Sequence, residues 1–367
     1  MTVQMFETPK VKTAERAILV GTALGRASKD EAEYTLDELA RLTDTAGGVE
    51  VARFLQRRER PDSAYLIGKG LVETITNAVV ELKADVVIFD DTLAPHQMRN
   101  LSEKLDVRVI DRPMLILDIF ALHARTAEAR LQVELAQMEY LLPRLTGLWV
   151  HFSRQRGGIG TKGPGETQLE VDRRRVGQKI AYLKKKLEKV EKQRQTQRKG
   201  RSRFHKIALV GYTNAGKSTL FNRLARADVA EADQLFSTLD STTRVLGSGY
   251  PQNIVITDTV GCIEKLPHQL VASFKSTLEE VNLADLVLLI ADCSDPHRDR
   301  KIGVVQSVLA DIGAGHVPRI TIYNKIDLVE GADPFPVALD GVIPLSALKN
   351  TGLNRLKVEI LARFGQK

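Results

Sequence analysis

The segment that most constrains the fold of this 367-residue chain is a glycine-containing loop that follows a short apolar run. The run 206–210 has the composition of a buried strand, and residues 219–225 have a helical pattern. Between them, Gly211-Tyr212-Thr213-Asn214-Ala215-Gly216-Lys217-Ser218-Thr219 matches G-x-x-x-x-G-K-[ST]. Strand, loop and helix in this order predict an α/β domain with a mostly parallel, doubly wound sheet that binds the phosphates of a nucleoside triphosphate.

The same loop predicts roles for single residues. Its backbone N–H groups, at the positive end of the helix, can surround the α- and β-phosphates. Lys217 would bring a positive charge to the β- and γ-phosphate oxygens, and the Ser218 hydroxyl would ligate Mg²⁺. Magnesium is therefore an expected cofactor.

Two later motifs identify the base. Asn324-Lys325-Ile326-Asp327 follows an apolar run, and the Asp327 carboxylate can accept hydrogen bonds from N1–H and the exocyclic amino group of guanine. Adenine has no such donor pair, so we expect a buried Asp327 to disfavour ATP. The backbone of Ser346-Ala347-Leu348 can donate to O6 of guanine.

Asp258-Thr259-Val260-Gly261 supplies the γ-phosphate side of the site. We expect Asp258 to hold Mg²⁺ through water and the Gly261 N–H to meet the γ-phosphate. Thr238 is the predicted second Mg²⁺ hydroxyl beside Ser218, with Thr242 and Thr243 as alternatives. These motifs are typical of a GTPase whose loops order around the γ-phosphate and Mg²⁺ and relax after hydrolysis of GTP to GDP.

The residue after this motif is Cys262, where many GTPases have a glutamine that orients the attacking water. A thiol orients water poorly, so we expect slow intrinsic hydrolysis. The Asn214 side-chain carbonyl could help to hold a K⁺ ion near the phosphates. The predicted catalytic residues are therefore Asn214, Lys217, Thr238 and Gly261.

The motifs together predict one nucleotide-binding site. Its residues are Gly211, Asn214, Ala215, Gly216, Lys217, Ser218, Thr219, Asp258, Gly261, Asn324, Lys325, Asp327, Ser346, Ala347 and Leu348.

The sequence before this region predicts two further domains. Residues 1–115 alternate strand-like runs with helical patterns, which favours a small α/β domain with parallel pairing. Residues 116–203 carry two apolar stripes with steps of three and four, which predicts an antiparallel, coiled-coil-like helical hairpin. Pro143 should end or kink its first helix. The nucleotide-binding domain would occupy 204–367.

A glycine-rich loop at about residues 153–166 joins the two predicted helices. Residues 154–206 contain 18 Lys and Arg against five acids, a net +13, although the whole chain is only +7. Such concentration favours a polyanionic partner. Arg154, Arg156 and Lys162 are the candidate RNA contacts, with a flexible linker as the alternative. A lack of long apolar runs and only two cysteines favour a cytoplasmic protein that needs no membrane.

The chain resembles the HflX family of GTPases over roughly residues 15–360. The resemblance rests on Tyr65–Gly70, Val87–Asp91, Leu131–Gln137, Leu142–Gly147 and the glycine-rich segment Gly157–Gln168. It implies a GTPase that binds the large (50S) ribosomal subunit and its rRNA when loaded with GTP, splits stalled or idle ribosomes, and is stimulated by the ribosome. Some relatives also bind ATP through the N-terminal part.

Two departures from this pattern matter. Family members commonly carry an aromatic residue where this chain has Cys262, and the chain ends one helix after Ser346, without the extra C-terminal domain of longer relatives. Two other functions stay open: a GTPase switch in rRNA maturation or RNA modification, and a signalling GTPase that binds an acidic protein or a membrane surface. Nothing in the sequence requires more than a monomer.

Overall fold

A computed structural model describes residues 14–25, 28–145, 168–199, 204–225, 235–236, 242–247, 249–251, 253–265, 280–329 and 341–364. These residues form two compact units that divide between Leu115 and Ile116.

The first unit is built on a four-stranded parallel sheet of order β2-β1-β3-β4. Its strands are β1 (Glu15–Leu24), β2 (Gly48–Arg58), β3 (Val86–Phe89) and β4 (Arg108–Asp111). Its helices are α1 (Lys29–Thr45), α2 (Lys69–Glu81) and α3 (Pro95–Leu105), and α4 (Arg112–His123) crosses into the second unit. The prediction of a small parallel α/β sheet is confirmed.

Local sequence explains most of these elements. Residues 17–20 of β1 are fully buried, as expected of a central parallel strand covered on both faces. Helix α1 begins at a capping box in which Ser28 and Glu31 each accept the other's backbone N–H. By contrast, no periodic pattern in the sequence identifies α4 as a separate helix. The run 114–120 of α4 is almost entirely apolar and mostly buried, so it has no polar face to reveal its helical period.

A buried charge cluster ties α1, β3 and α4 together. The Arg112 guanidinium is completely buried and donates to the carboxylates of Glu38 and Asp90, the latter at 2.7 Å. Asp111 is equally buried and accepts the backbone N–H groups of Leu93 and Met114. Several buried charged side chains can be accommodated together only when each is paired or hydrogen-bonded.

The second unit contains a six-stranded sheet of order β10-β9-β8-β5-β7-β6. All neighbouring strands are parallel except β6 and β7. The strands are β5 (His205–Gly211), β6 (Thr242–Val245), β7 (Ile254–Asp258), β8 (Leu286–Asp292), β9 (Arg319–Asn324) and β10 (Val342–Pro344).

Two helices precede this sheet in the chain, α5 (Ala127–Leu141) and α6 (Gln168–Lys199), and three more pack on it, α7 (Lys217–Ala225), α8 (Arg298–Asp311) and α9 (Leu353–Phe364). There are 3-10 turns at Leu142–Arg144, Ala314–His316 and Ile326–Leu328. A mostly parallel sheet with helices is the predicted architecture for this half of the chain.

Helices α5 and α6 contact each other. Lys179 pairs with Glu134 at 2.9 Å and Lys184 pairs with Glu139 at 2.8 Å, while Leu183 between them is fully buried. Helix α5 ends directly before the turn that contains Pro143, as the sequence predicts. The glycine-rich loop, with Arg154, Arg156 and Lys162, lies outside the described residues. The division into domains 1–115, 116–203 and 204–367 stays a prediction.

Among the helices of the described residues, none has the length and apolarity that a membrane crossing requires.

We predict that Arg112→Met destabilises the first unit by about 3–5 kcal/mol, because two buried carboxylates lose their cation. Hydrogen exchange measured by mass spectrometry on peptides from β1 and β3 of the full chain would report this loss. The matched control is Arg108→Met, which breaks an exposed pair with Glu15 and should leave exchange nearly unchanged. Equal protection in both variants would contradict a structural role for the buried cluster.

Candidate nucleotide-binding site

The predicted site residues converge at one edge of the six-stranded sheet. Strands β5, β7, β8, β9 and β10 are parallel, so their carboxyl ends meet at the same edge. Open parallel sheets bind ligands at this edge. The glycine loop follows β5, the Asp258 motif follows β7, and the Asn324 and Ser346 motifs follow β9 and β10.

The loop after β5 depends on a close approach at Gly216. Gly216 has φ +88°, and a Cβ there would lie 2.3 Å from the Asn324 amide nitrogen. Only glycine therefore lets the loop close against Asn324 before α7 begins at Lys217. Asn214 also has positive φ, and it is exposed on this loop. Thr219 lies in the first turn of α7, as predicted.

Lys217 is placed inside the loop. Its side chain is 7% exposed, and its ammonium donates to the carbonyls of Gly211 (3.2 Å) and Tyr212 (2.8 Å). Desolvation lowers the pKa of Lys217, while the nearby Asp258 and Cys262 act in the opposite direction. A phosphate beside the ammonium would offset this desolvation, so the site favours an anion.

The metal side of the site brings a hydroxyl and a carboxylate together. The Ser218 hydroxyl donates to Asp258 Oδ2 at 2.8 Å, and Asp258 is fully buried. Oxygen donors of this kind fit Mg²⁺, which prefers few protein ligands and retained water. Ser218 and Asp258 are thus the residues that would hold the ion.

Thr238, which carries the predicted second Mg²⁺ hydroxyl, lies outside the described residues. Its two competitors are on β6, where Thr242 lies opposite Asp258 in the pairing with β7. The Thr243 hydroxyl is 2.9 Å from that of Thr257. The choice among the three threonines stays a prediction.

The segment after Asp258 lies against the glycine loop. A Cβ at Gly261 would stand 2.9 Å from Thr213 Cγ2 and 3.0 Å from Lys217 Nζ, so the backbone approaches closely here. The Cys262 N–H donates to Gly211 O and its carbonyl accepts from the Thr213 N–H. Burial raises the pKa of the Cys262 thiol to about 11, so it is a neutral thiol at pH 7. A neutral thiol is neither a nucleophile nor a good orienter of water.

Asn324 links three segments of the site. Its side-chain NH₂ donates to Ala215 O at 2.9 Å, and its Oδ1 accepts from the Ala347 N–H at 3.0 Å. The side chain is 2% exposed, so both bonds are shielded from water. Asn324 therefore holds the loops of the site in place rather than contacting the base directly.

The next two motif residues differ in burial. Lys325 has φ +63° and its ammonium pairs with Asp292 at 2.8 Å. Asp327 lies in a 3-10 turn and is exposed. The expectation of a buried Asp327 is therefore wrong for this structure, because the turn holds the carboxylate at the rim. For Asp327 to discriminate guanine from adenine, the bound base itself would have to cover the carboxylate.

The Ser346 motif forms a braced turn. Ser346 is fully buried and exchanges two backbone hydrogen bonds with Thr351. The Arg223 guanidinium of α7 donates to the carbonyls of Ala347 (3.2 Å) and Leu348 (3.3 Å), whereas the Leu348 side chain is 60% exposed. The Ala347 N–H donates to Asn324 and the Lys349 N–H donates to Ser346 Oγ at 3.0 Å, so of these three the Leu348 N–H is left to reach guanine O6.

The described site residues predicted from sequence all lie at this edge, on its loops or on the adjoining ends of β5, β7, β9 and α7. The residues that brace those loops could not be identified from the sequence: Tyr212, Arg223, Thr259, Asp292 and Arg300. Thr259, for example, is fully buried and donates to Leu209 O at 2.6 Å. None of these five carried a recognisable signal, because each acts through a contact that only the fold creates.

Comparison with known proteins agrees with this geometry. Three family models match consecutive parts of the chain: "GTP-binding GTPase N-terminal" at residues 33–121, "GTP-binding GTPase Middle Region" at 123–201, and "50S ribosome-binding GTPase" at 206–325. The third covers the glycine loop, the Asp258 motif and Asn324.

Curated relatives match over most of the chain. "GTPase HflX" of Caldanaerobacter subterraneus subsp. tengcongensis is 49% identical over 344 residues, 93% of this chain and 79% of the relative. "GTPase HflX" of Escherichia coli is 45% identical over 332 residues, 90% and 77% of the two chains. The crystal structure of SsGBP in complex with GDP has a TM-score of 0.53 at 25% identity, covering 96% of this chain and 99% of that one. The chain belongs to the HflX family of GTPases.

Proposed function

We propose that this GTPase binds the large ribosomal subunit in its GTP-loaded form and dissociates stalled or idle ribosomes for recycling. The observation that carries the proposal is the match of residues 206–325, which include most of the nucleotide site, to the 50S ribosome-binding GTPase model. The same proposal places the protein in the cytoplasm as a monomer, with GTP, GDP and ribosomal RNA as its ligands.

The charge of the chain supports an RNA partner. Helix α6 carries the exposed residues Arg173, Arg174, Arg175, Lys185, Lys186 and Lys189. Neutralisation of phosphates by such a surface gives affinity without sequence preference. Arg154, Arg156 and Lys162, which lie outside the described residues, would add further cations for the same partner.

The geometry supports a hydrolytic mechanism in which most groups are positioned in advance. The buried Lys217 ammonium would stabilise charge on the β- and γ-phosphates, and the Gly261 N–H would donate to the γ-phosphate. Ser218 and Asp258 would hold a Mg²⁺ ion, which supplies further charge neutralisation when bound. Cys262 cannot replace a water-orienting glutamine, so intrinsic turnover would be slow until the ribosome completes the site.

Cosedimentation with purified 50S particles tests the ribosome proposal. We expect the protein to pellet with 50S in the presence of a non-hydrolysable GTP analogue and to stay in the supernatant with GDP. Affinity should fall by about 10³–10⁵-fold between 50 and 200 mM salt if 6–10 phosphates are contacted. Equal pelleting with GDP and the analogue would refute GTP gating, and competition by anionic liposomes would favour a membrane-surface role instead.

Asp327→Asn tests the base assignment. Asparagine cannot accept from both guanine donors, so GTP affinity should fall by about 10–100-fold. The amide NH₂ can donate to the C2 carbonyl of xanthine, so affinity for a xanthosine nucleotide should rise in the same variant. Fluorescence titration with labelled nucleotides would measure both changes. An unaltered preference for guanine over xanthine would remove Asp327 from base recognition.

The assignment of a K⁺ ion to Asn214 predicts cation-dependent hydrolysis. GTP turnover without ribosomes should be several-fold faster in KCl than in NaCl at equal ionic strength, because K⁺ would add positive charge beside the phosphates. Asn214→Ala should abolish the difference while leaving GDP affinity nearly unchanged. Identical rates of the wild-type protein in the two salts would eliminate the K⁺ site.

A further inference from the structure

The Thr213 hydroxyl of the glycine loop is a buried polar group that none of the proposed steps uses. Thr213 is 6% exposed, and among the described residues its Oγ1 has no hydrogen-bond partner. The preceding Tyr212 hydroxyl accepts the Glu264 N–H at 2.8 Å. A buried hydroxyl without a partner is unfavourable, so a group that completes its hydrogen bonds would be bound there favourably.

The backbone fixes the place of this hydroxyl. The Thr213 N–H donates to the Cys262 carbonyl at 2.9 Å, and the Cys262 N–H donates to Gly211 O at 3.0 Å. These two bonds join the glycine loop to the segment after the Asp258 motif. Thr213 is thus on an anchored part of the loop, so the fold itself sets the position of its side chain.

The Thr213 side chain packs against Gly261, beside the Lys217 ammonium. Gly261 has no Cβ, and the point where one would stand is 2.9 Å from Thr213 Cγ2 and 3.0 Å from both Thr213 Cα and Lys217 Nζ. Because Oγ1 and Cγ2 are bonded to the same carbon, the hydroxyl lies beside this small space. Lys217 and the Gly261 N–H are the groups proposed to contact the γ-phosphate, so the hydroxyl lies close to the γ-phosphate position.

The chemistry of a hydroxyl suits a task that Cys262 cannot perform. A threonine hydroxyl both donates and accepts, so one oxygen can accept a hydrogen bond from water while donating to a phosphate oxygen. GTP hydrolysis requires a water molecule held in line with the γ-phosphate. Cys262 occupies the place of the glutamine that orients this water in many GTPases.

We propose that Thr213 is a catalytic residue whose hydroxyl holds the attacking water against the γ-phosphate. The hydroxyl stays neutral and forms no covalent bond. The water oxygen bonds to the γ-phosphorus while the bond from that phosphorus to the β–γ bridging oxygen breaks, and both protons of the water remain on the inorganic phosphate. The inference rests on the proposed assignment of Lys217 and Gly261 to the γ-phosphate, and it does not depend on ribosome binding.

Single-turnover hydrolysis of GTP by the full-length protein, without ribosomes, tests this inference. Thr213→Val replaces the hydroxyl with a methyl group of similar size, so the hydrolysis rate constant should fall by about 10- to 100-fold. Thr213→Ser keeps the hydroxyl and should retain the rate within about three-fold. In both variants the affinities for GDP and for a non-hydrolysable GTP analogue should change by less than about three-fold, because the water is held only for the hydrolytic step.

Thermal unfolding of the nucleotide-free variants separates catalysis from a structural role. Valine removes a buried hydroxyl without a partner, so the melting temperature of Thr213→Val should equal or exceed that of the wild type. The matched control is Thr35→Val, which removes a similarly buried hydroxyl that donates to Ala32 O at 3.1 Å within α1. This control should leave the hydrolysis rate unchanged and lower the melting temperature.

The inference is overturned if Thr213→Val hydrolyses GTP as fast as the wild type, if its melting temperature falls, or if Thr213→Ser loses the rate as well. It is also overturned if analogue affinity falls in proportion to the rate. Lys217→Ala, measured in parallel, reports on the γ-phosphate site itself and should lose tight binding of the analogue. Retained binding would refute the assignment of the site, whereas a failure of the Thr213 variants alone would leave that assignment and the proposed 50S binding intact.

Discussion

The buried amide of Asn324 is the contact on which the nucleotide site depends. It is the meeting point of the loops after β5, β9 and β10, since it donates to Ala215 O and accepts from the Ala347 N–H. With 2% exposure the amide has little access to water, so a lost partner would leave a buried polar group unsatisfied. Gly216 is required for the same reason, because a side chain there would occupy the place of the amide.

Electrostatics then selects what this framework can bind. A buried ammonium at Lys217 and a fully buried carboxylate at Asp258 are both costly to desolvate. The Asp258 carboxylate accepts a hydrogen bond from the Ser218 hydroxyl, and the Lys217 ammonium donates to uncharged backbone carbonyls. An anion next to Lys217 and a cation next to Asp258 would each offset the desolvation cost of the buried charge beside it. A phosphate with a divalent metal has this arrangement of charges.

Sequence patterns predicted the parts of the site that consist of short local motifs and of the backbone within them. The glycine loop, Asp258 and Asn324 were recognisable because their chemistry requires particular residues at fixed spacing along the chain. The exposed position of Asp327 was not predictable, since it depends on how the 3-10 turn after β9 meets solvent. Arg112 and α4 were missed for a related reason: the partners of Arg112 are 22 and 74 residues away in the chain. Tyr212 likewise reads as an unspecified loop position until the fold brings it to Glu264.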